Sequence, residues 1–438
     1  MAADNLAQFQ VLLQGLLSAD NNVRTQSEAA FDGLPAPDRV GLLIQSLRKN
    51  DVPVENRTMA CILLRRMFAS SFEETWPQLP PEMQAGVKQE LMNAVKDETM
   101  PTIRKKTCDA IAELARNMLD DDGNMGWQEV LKFMFELANS QNAELMEGAL
   151  HIFTVFPGIF GNLQNHYLEV IKQMLGQSLQ FRAAPQVVYE AVKATSAFLI
   201  ANEKENHMHT HLKDLLPHLI QGVADSVEAQ KDDSVLKCLI DLAENTPKYL
   251  RPQMEAIFPF CLKLVSDTNL PDSWRQLGLE VVVTMSETAP AMVRKFNKYI
   301  PLLVPQVLAM MVDLEEEEDW SFQDEVEDED TESNAIAAES ALDRLACALG
   351  GKTMLPHIVA SISQMLQQED WRYRHAALMA VSACGEGCHS HMELMLQNIV
   401  DAILPFLSDS VSYALSLFFL NSWDVLKIKV GGVSLSVM

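Results

Sequence analysis

The sequence is poor in basic residues and in aromatic residues. Only 34 Lys and Arg stand against 60 Asp and Glu in 438 residues, so the formal net charge is −26. A protein that binds DNA or RNA needs a basic face, and we therefore expect no direct contact with either nucleic acid. Aromatic residues make up 7% of the chain. Because strands are enriched in aromatic side chains, their scarcity favours packed helices over sheets.

Long apolar runs and secretion signals are also missing. The longest largely apolar run, Val411–Leu420, is far shorter than the ~20 residues that a membrane helix needs. The beginning of the chain carries Asp4 and lacks the basic start of a secretory signal. Seven Cys are scattered without the spacing of a disulfide framework. We therefore expect a soluble intracellular protein with reduced thiols and no membrane partner.

No motif for catalysis, cofactor binding or metal binding is complete. Leu349–Thr353 is similar to the end of a phosphate-binding loop but lacks the first Gly of that motif. Asp120–Glu129 partly follows a calcium loop, but Met118 occupies the first ligand position. The three His in 207–211 and the Cys and His in 384–391 are zinc-type ligands. For the second group we expect buried thiols and solvent-facing imidazoles, with zinc as the alternative. The sequence thus predicts no enzyme, no cofactor and no metal.

The apolar period is helical along nearly the whole chain. One stripe includes Ile103 and Ile111 and leaves Arg104 off the apolar face, and a second stripe lies in 187–199. The helices come in pairs, and most second helices follow one another at 40–48 residues. This is the period of HEAT and armadillo arrays, whereas tetratricopeptide repeats need about 34 residues. The second helices are predicted to begin near Arg24, Arg57, Arg104, Glu144, Gln186, Ser234, Arg275, Asn334 and Arg374.

The longest interval between second helices contains an acidic segment. Residues 313–332 hold thirteen Asp and Glu and no Lys or Arg, which is half of the net charge. A flexible polyanion beside a helical wall attracts basic ligands and speeds their encounter. Trp320 lies among these acids and is suited to cation–π contact with Lys or Arg. The alternative is a solvated tether without a binding role.

Four stretches carry a resemblance to a known family. The first second helix, Asn22–Phe31, resembles the Arg-x-x-Ala-Glu-x-x-Leu pattern that opens importin-beta (karyopherin-beta) nuclear import receptors, with Ser27 and Phe31 as departures. The other three stretches are Ser234–Pro252, Met310–Trp320 and Asp370–Ala376. The resemblance covers residues 1–408 and points to one branch of the family, because the acidic segment with its Trp lies where that branch has it.

The resemblance implies a receptor that shuttles between cytoplasm and nucleus. Such receptors bind the basic import signals of cargo proteins, cross the pore on phenylalanine-glycine (FG) nucleoporins and release cargo on binding Ran-GTP. Ran lies on the second helices of the N-terminal repeats, with a further contact at the acidic segment, and FG pockets lie between first helices of the middle repeats. Carried onto this chain, the residues expected to contact Ran or basic cargo are Arg24, Glu28, Arg65, Arg104, Lys105, Glu113, Asp313, Glu315, Glu316, Glu317, Glu318, Asp319, Trp320, Asp324, Glu325, Glu327, Asp328, Glu329 and Asp330.

These observations together predict an all-α fold, a right-handed superhelical solenoid of about nine and a half HEAT pairs. The last residues, 408–438, hold four charged side chains and depart from the family pattern. We expect a shortened product of alternative splicing or of a gene model that reads into an intron. The rival to an import receptor is a static HEAT scaffold for protein assembly. The predicted divisions are 1–119 (repeats 1–3), 120–312 (repeats 4–7 and the first helix of 8), 313–332 (acidic loop), 333–407 (through the first helix of 10) and 408–438 (tail).

Overall fold

The structure is a computed structural model that describes residues 2–314 and 333–403. Within these ranges the chain forms twenty-four α-helices joined by short turns and 3-10 segments. The first twelve are α1 Ala2–Leu16, α2 Asn21–Asp32, α3 Ala36–Arg48, α4 Val54–Ser70, α5 Phe72–Thr75, α6 Pro81–Asp97, α7 Pro101–Asn117, α8 Gln128–Ala138, α9 Ala143–Val155, α10 Gln164–Leu179, α11 Pro185–Ala201 and α12 Asn206–Leu212. The others are α13 Leu216–Ala229, α14 Ser234–Asn245, α15 Pro247–Leu250, α16 Met254–Ser266, α17 Asp272–Thr288, α18 Pro290–Val293, α19 Ile300–Met311, α20 Asn334–Leu349, α21 Gly351–Met365, α22 Trp371–Ala383, α23 Gly385–Met392 and α24 Leu396–Ile403.

The chain divides into two compact units, 1–223 and 224–438. In the first unit, α1 packs on α2, α3 on α4, α6 on α7, α8 on α9 and α10 on α11. The second helices α4, α7, α9 and α11 also pack on one another in that order. In the second unit, α16 packs on α17, α19 on α20 and α21 on α22, and α14, α17 and α20 form the row of second helices. Each unit is therefore an array of helical pairs in which every pair is buried against its neighbours.

The predicted starts of the second helices are confirmed. The nine second helices begin within three residues of the predicted positions. Local sequence explains the starts, because Asp20, Asn142, Ser333 and Asp370 accept backbone N–H groups as N-caps and Pro101 and Pro185 occupy the first helical turn. The all-α array of HEAT pairs is confirmed as well. No α-helix among the described residues combines the length and the apolar character that crossing a bilayer requires.

The apolar stripes form the core of each pair. Ile103, Ile111, Val187 and Phe198 are fully buried, as their helical spacing predicts. The placement of Arg104 off the apolar face of α7 is wrong, because its side chain is buried. Its guanidinium donates a hydrogen bond to the backbone carbonyl of Glu98, which directly follows α6.

An arginine at the fourth position of the second helix recurs in five pairs. Each donates to a carbonyl at or just beyond the end of the preceding first helix, where carbonyls lack helical partners. Nε of Arg57 lies 3.1 Å from the oxygen of Leu47, and Nε of Arg275 lies 3.3 Å from the oxygen of Val265. The other three are Arg24 to Ser18, Arg104 to Glu98, and Arg374 to Gln368.

Three of these arginines also tie one pair to the next. Arg57 forms an ion pair with Glu98, Arg104 with Glu144 at 2.6 Å, and Arg275 with Asp313 at 3.0 Å. Glu98 and Asp313 occupy similar places, one and two residues after the end of first helices α6 and α19. We call these three contacts the arginine ladder. It couples neighbouring repeats with charge-assisted hydrogen bonds in addition to apolar packing.

Candidate protein-interaction surfaces

The predicted partner residues of the first unit lie on the row of second helices. Arg65 of α4 is exposed, with its Nε 4.0 Å from a carboxylate oxygen of Glu113 on α7. Lys105 of α7 is partly exposed, and its Nζ lies 2.7 Å from Glu147 of α9. Glu28 of α2 is exposed. These side chains are accessible to a protein partner, so their assignment as contacts stays a prediction.

Three other predicted contacts have structural roles. Arg104 is buried in the arginine ladder, so it cannot meet a partner directly and instead holds the wall of second helices together. Asp313 accepts hydrogen bonds from Arg275 and from Asn334 at the start of α20, so it is part of the ladder while its side chain remains 52% exposed. Arg24 is partly buried and donates to Ser18. The other acids of 313–332 and Trp320 lie outside the described residues and stay predictions.

A polar network links three second helices of the first unit. His151 of α9 lies between Asp109 of α7 and Glu190 of α11, with both nitrogen–oxygen distances at 2.8 Å. Lys105 reaches Glu190 at 3.6 Å. Burial alone would lower the pKa of His151, but the hydrogen bonds to Asp109 and Glu190 outweigh it and raise the pKa to about 9. His151 is therefore charged at neutral pH and neutralises the buried carboxylate of Glu190.

The second-helix face of the second unit is acidic. Asp241 and Glu244 lie on α14, Glu280 and Glu287 on α17, and Glu339 and Asp343 on α20. Desolvation, and then the neighbouring Glu244, raise the pKa of Asp241. Desolvation and Asp343 raise the pKa of Glu339. In both cases a second carboxylate adds to the effect of desolvation, so negative charge is concentrated on this face and favours a cationic ligand. The acids are far apart in sequence, and only their helical spacing could have indicated the face.

One cation, Arg344 of α20, is bound within this face. Its guanidinium donates to both carboxylate oxygens of Glu280, each at 2.8 Å, and to those of Glu287 at 2.9 and 2.6 Å. These hydrogen bonds, with Glu287 first, raise the pKa of Arg344 above its ordinary value. Arg344 also lines a groove of about 370 Å³ between α14, α17 and α20, together with Asp233 and Lys237. We call this the α14–α17–α20 groove.

Apolar pockets lie between neighbouring first helices. A pocket of about 560 Å³ between α8 and α10 is lined by Leu131, Phe135, Leu163 and Tyr167, with the two aromatic ring centroids 6.0 Å apart. A second pocket of about 360 Å³ lies between α19 and α21 and includes Pro305. The first pocket lies between first helices of the middle repeats, where the sequence analysis expected FG pockets, and its use for FG binding stays a prediction.

The metal-type and phosphate-type segments have local partners. His207 contacts Asn165 at 2.8 Å, and His211 contacts Glu169 at 2.9 Å. Gly350, with φ +80°, joins α20 to α21, so the phosphate-type segment is a glycine turn between two helices. Cys384 and Cys388 are buried and His389 and His391 exposed, as expected. A new helix, α23, begins at Gly385, and Gly387 without a Cβ lets this helix approach the α20 backbone closely.

Comparison with known proteins gives consistent results. A family model described as "IPO5-like, TPR repeats" matches residues 99–260, and one described as "Importin repeat" matches 267–356. Importin subunit beta-3 of Saccharomyces cerevisiae is 27% identical, covering 91% of this chain and 37% of that protein. A probable importin-5 homolog of Dictyostelium discoideum is 23% identical, covering 76% and 31%. Crystal structures of Kap121p bound to RanGTP and bound to Pho4p are both 25% identical, with TM-scores of 0.79 and 0.78, covering 97% and 94% of this chain and 40% of each of those chains.

Paired helices with charged second-helix faces and apolar pockets between first helices define a HEAT-repeat protein with extended binding faces. The chain is similar to importin-beta (karyopherin-beta) family proteins, through the two family models that match 99–260 and 267–356 and through its relatives. Although one family model is described by TPR repeats, α7, α9 and α11 in its range begin 42 residues apart, at Pro101, Ala143 and Pro185, which is the HEAT period. The chain spans well under half the length of the relatives that it matches.

Proposed function

We propose that this chain acts as a nuclear import receptor that binds Lys- and Arg-rich segments of cargo proteins and releases them on binding Ran-GTP. The observation that carries the proposal is the acidic α14–α17–α20 face, in which Asp241 and Glu339 have raised pKa values. A basic segment adds cations to a face on which acids outnumber Lys and Arg, and it gains affinity from charge complementarity. Relatives of this family include Kap121p, which has been crystallised with Pho4p and with RanGTP. The receptor shuttles between cytoplasm and nucleus.

The Ran-binding surface in this proposal is the row of second helices in the first unit. Arg65, Lys105 and Glu113 of α4 and α7 are exposed or partly exposed there. The acidic segment 315–332 supplies a further contact to Ran or to basic cargo by electrostatic attraction. A static scaffold, the rival function, is expected to bind Ran-GTP and Ran-GDP with equal affinity.

We expect the chain to bind Ran loaded with a non-hydrolysable GTP analogue at least about tenfold more tightly than Ran-GDP, because the receptor must respond to the nucleotide state. Biolayer interferometry with immobilised Ran measures both affinities. We expect Arg65→Glu to weaken Ran-GTP binding by about tenfold, since a charge reversal in an interface replaces attraction by repulsion. Lys204→Glu, an exposed lysine after α11, is the matched control and leaves the affinity unchanged. Equal affinity for the two nucleotide states supports the scaffold.

The proposal assigns FG nucleoporin binding to the pocket between α8 and α10. A phenylalanine side chain fits among Leu131, Phe135, Leu163 and Tyr167, and its burial supplies the binding energy. We expect Leu163→Glu to weaken binding of an FG-repeat peptide by about tenfold, because a charge at the rim must be desolvated. Val170→Glu on α10 is the control, since Val170 does not line the pocket and is 41% exposed against 40% for Leu163. Equal losses in both variants, measured by fluorescence anisotropy, contradict the assignment.

A further inference from the structure

The acids of the second-helix face around the α14–α17–α20 groove fall into two groups, and of these acids Glu280 lines the groove itself. Glu280 and Glu287 on α17 are bound by Arg344, which approaches from α20 and forms four hydrogen bonds of 2.6–2.9 Å. Glu280 accepts a further hydrogen bond from Thr284 at 2.9 Å. Asp241 and Glu339 lie elsewhere on the face and do not line the groove, and desolvation followed by a neighbouring acid raises the pKa of each. The groove therefore already holds two cations of the chain itself, Arg344 on Glu280 and Lys237 on Asp233, and only Arg344 joins two helices through them.

Arg344 contacts Glu280 and Glu287 in the way that an arginine of a bound basic segment would. A guanidinium presents a planar fork of donors that matches a carboxylate with two parallel hydrogen bonds. Arg344 uses its fork on two carboxylates at once, while its side chain remains 33% exposed and those of Glu280 and Glu287 remain 35% and 39% exposed. Because solvent reaches all three groups, an external Lys or Arg could reach the same carboxylates if the guanidinium moved away. Burial does not lock the contact.

We propose that Arg344 is a specificity-determining residue of the α14–α17–α20 groove, an internal cation that occupies Glu280 and Glu287 and competes with the basic segment of a ligand. The inference rests on the proposed binding of basic segments. A ligand residue at Glu280 or Glu287 must displace Arg344, whereas Asp241 and Glu339 form no ion pair with another described residue that a ligand would have to displace. Arg344 thus lowers the affinity for basic segments in general. It favours ligands that carry further cations to bind Asp241 and Glu339 elsewhere on the face.

The test is a binding series on the whole chain with fluorescein-labelled nona-lysine as the probe, followed by fluorescence anisotropy. We expect Arg344→Gln to raise the affinity by about tenfold at low salt, because two carboxylates become free. The gain should shrink as salt is added. Lys237→Gln is the charge-matched control. Lys237 lines the same groove but pairs with Asp233 of its own helix at 2.8 Å, so we expect a gain of about twofold from the change in net charge alone. A gain in Arg344→Gln no larger than in Lys237→Gln, or a loss of affinity, overturns the inference.

Two further variants separate this inference from the function on which it rests. Arg344→Lys keeps the charge and loses the fork, so we expect an affinity between those of wild type and Arg344→Gln. If the glutamine variant folds poorly, a gain of Arg344→Lys over wild type still tests the inference. The double change Asp241→Asn and Glu339→Gln should weaken binding by about fivefold, because it removes the free acids. If wild type binds the probe and only the Arg344 variants fail to gain affinity, the inference alone is wrong. If neither wild type nor any variant binds the probe, the proposed binding of basic segments is wrong as well.

Discussion

Replacing Arg57 with Met is expected to lower the free energy of unfolding of the first unit by about 3–5 kcal/mol, the cost of breaking a buried ion pair from one side. The side chains of Arg57 and Glu98 are 7% and 4% exposed. Without the guanidinium, the Glu98 carboxylate stays buried with only the backbone N–H groups of Thr99 and Met100 as partners. The Leu47 carbonyl also loses its donor. Urea unfolding followed by circular dichroism measures the loss.

The control for this prediction is Arg48→Met. Arg48 pairs with Glu90 at 3.0 Å and with Asp97 at 2.8 Å, so it has more ionic partners than Arg57. Its side chain is 30% exposed, however, and ion pairs open to solvent contribute only about 0–1 kcal/mol. We therefore expect a small effect. If both variants lose the same stability, the arginine ladder has no special role in coupling the repeats.

Raising the pH from 7 to 10 is expected to destabilise the first unit through His151, by about 2–3 kcal/mol at most. The folded pKa of about 9 lies above the ordinary value of 6.5. The charged imidazole therefore contributes its full stability below pH 6.5, and this contribution is lost as pH rises through about 9. Asp109 and Glu190 have pKa values that the His151 hydrogen bonds lower against the effect of burial. These two carboxylates also stabilise the folded state, but with the opposite dependence on pH. Their contribution is lost as the pH falls into the acid range.

The His151→Gln variant isolates this contribution from other groups that titrate at alkaline pH. At pH 7 it should be less stable than wild type by about 2–3 kcal/mol, and the difference should shrink toward zero above pH 9. His211→Gln is the control, because His211 contacts the exposed Glu169 at 2.9 Å and should give a small difference throughout. A difference between His151→Gln and wild type that stays constant from pH 6 to 10 contradicts the role assigned to His151.

The sequence predicts the helices well because their causes are local. Apolar spacing and capping residues such as Asp20 and Asn142 lie within a few residues of each helix start, so the order and starts of the second helices followed from them. The burial of Arg104 was missed because it depends on Glu144 in the next pair, 40 residues away. Helical periodicity alone counts an arginine as a surface residue.

The binding faces were only partly predictable for the same reason. The acidic run in 313–332 is visible as a contiguous pattern, yet the structure places its first acid, Asp313, in the arginine ladder. The acidic face of the second unit is built from α14, α17 and α20, whose acids are separated by a repeat or more. One feature of the sequence could have indicated the His151 network. Asp109 and His151 both stand at the ninth position of their helices, 42 residues apart, so aligning the repeats by register would have paired them.

The most direct test of the account is a displacement measurement. A fluorescein-labelled nona-lysine peptide is first bound to the whole chain, and Ran is then added with either a non-hydrolysable GTP analogue or GDP. For an import receptor we predict that Ran with the GTP analogue returns the anisotropy to that of free peptide, while the same concentration of Ran-GDP leaves the peptide bound, because the two ligands favour different states of the receptor. Release by both nucleotide forms, or by neither, would contradict the account.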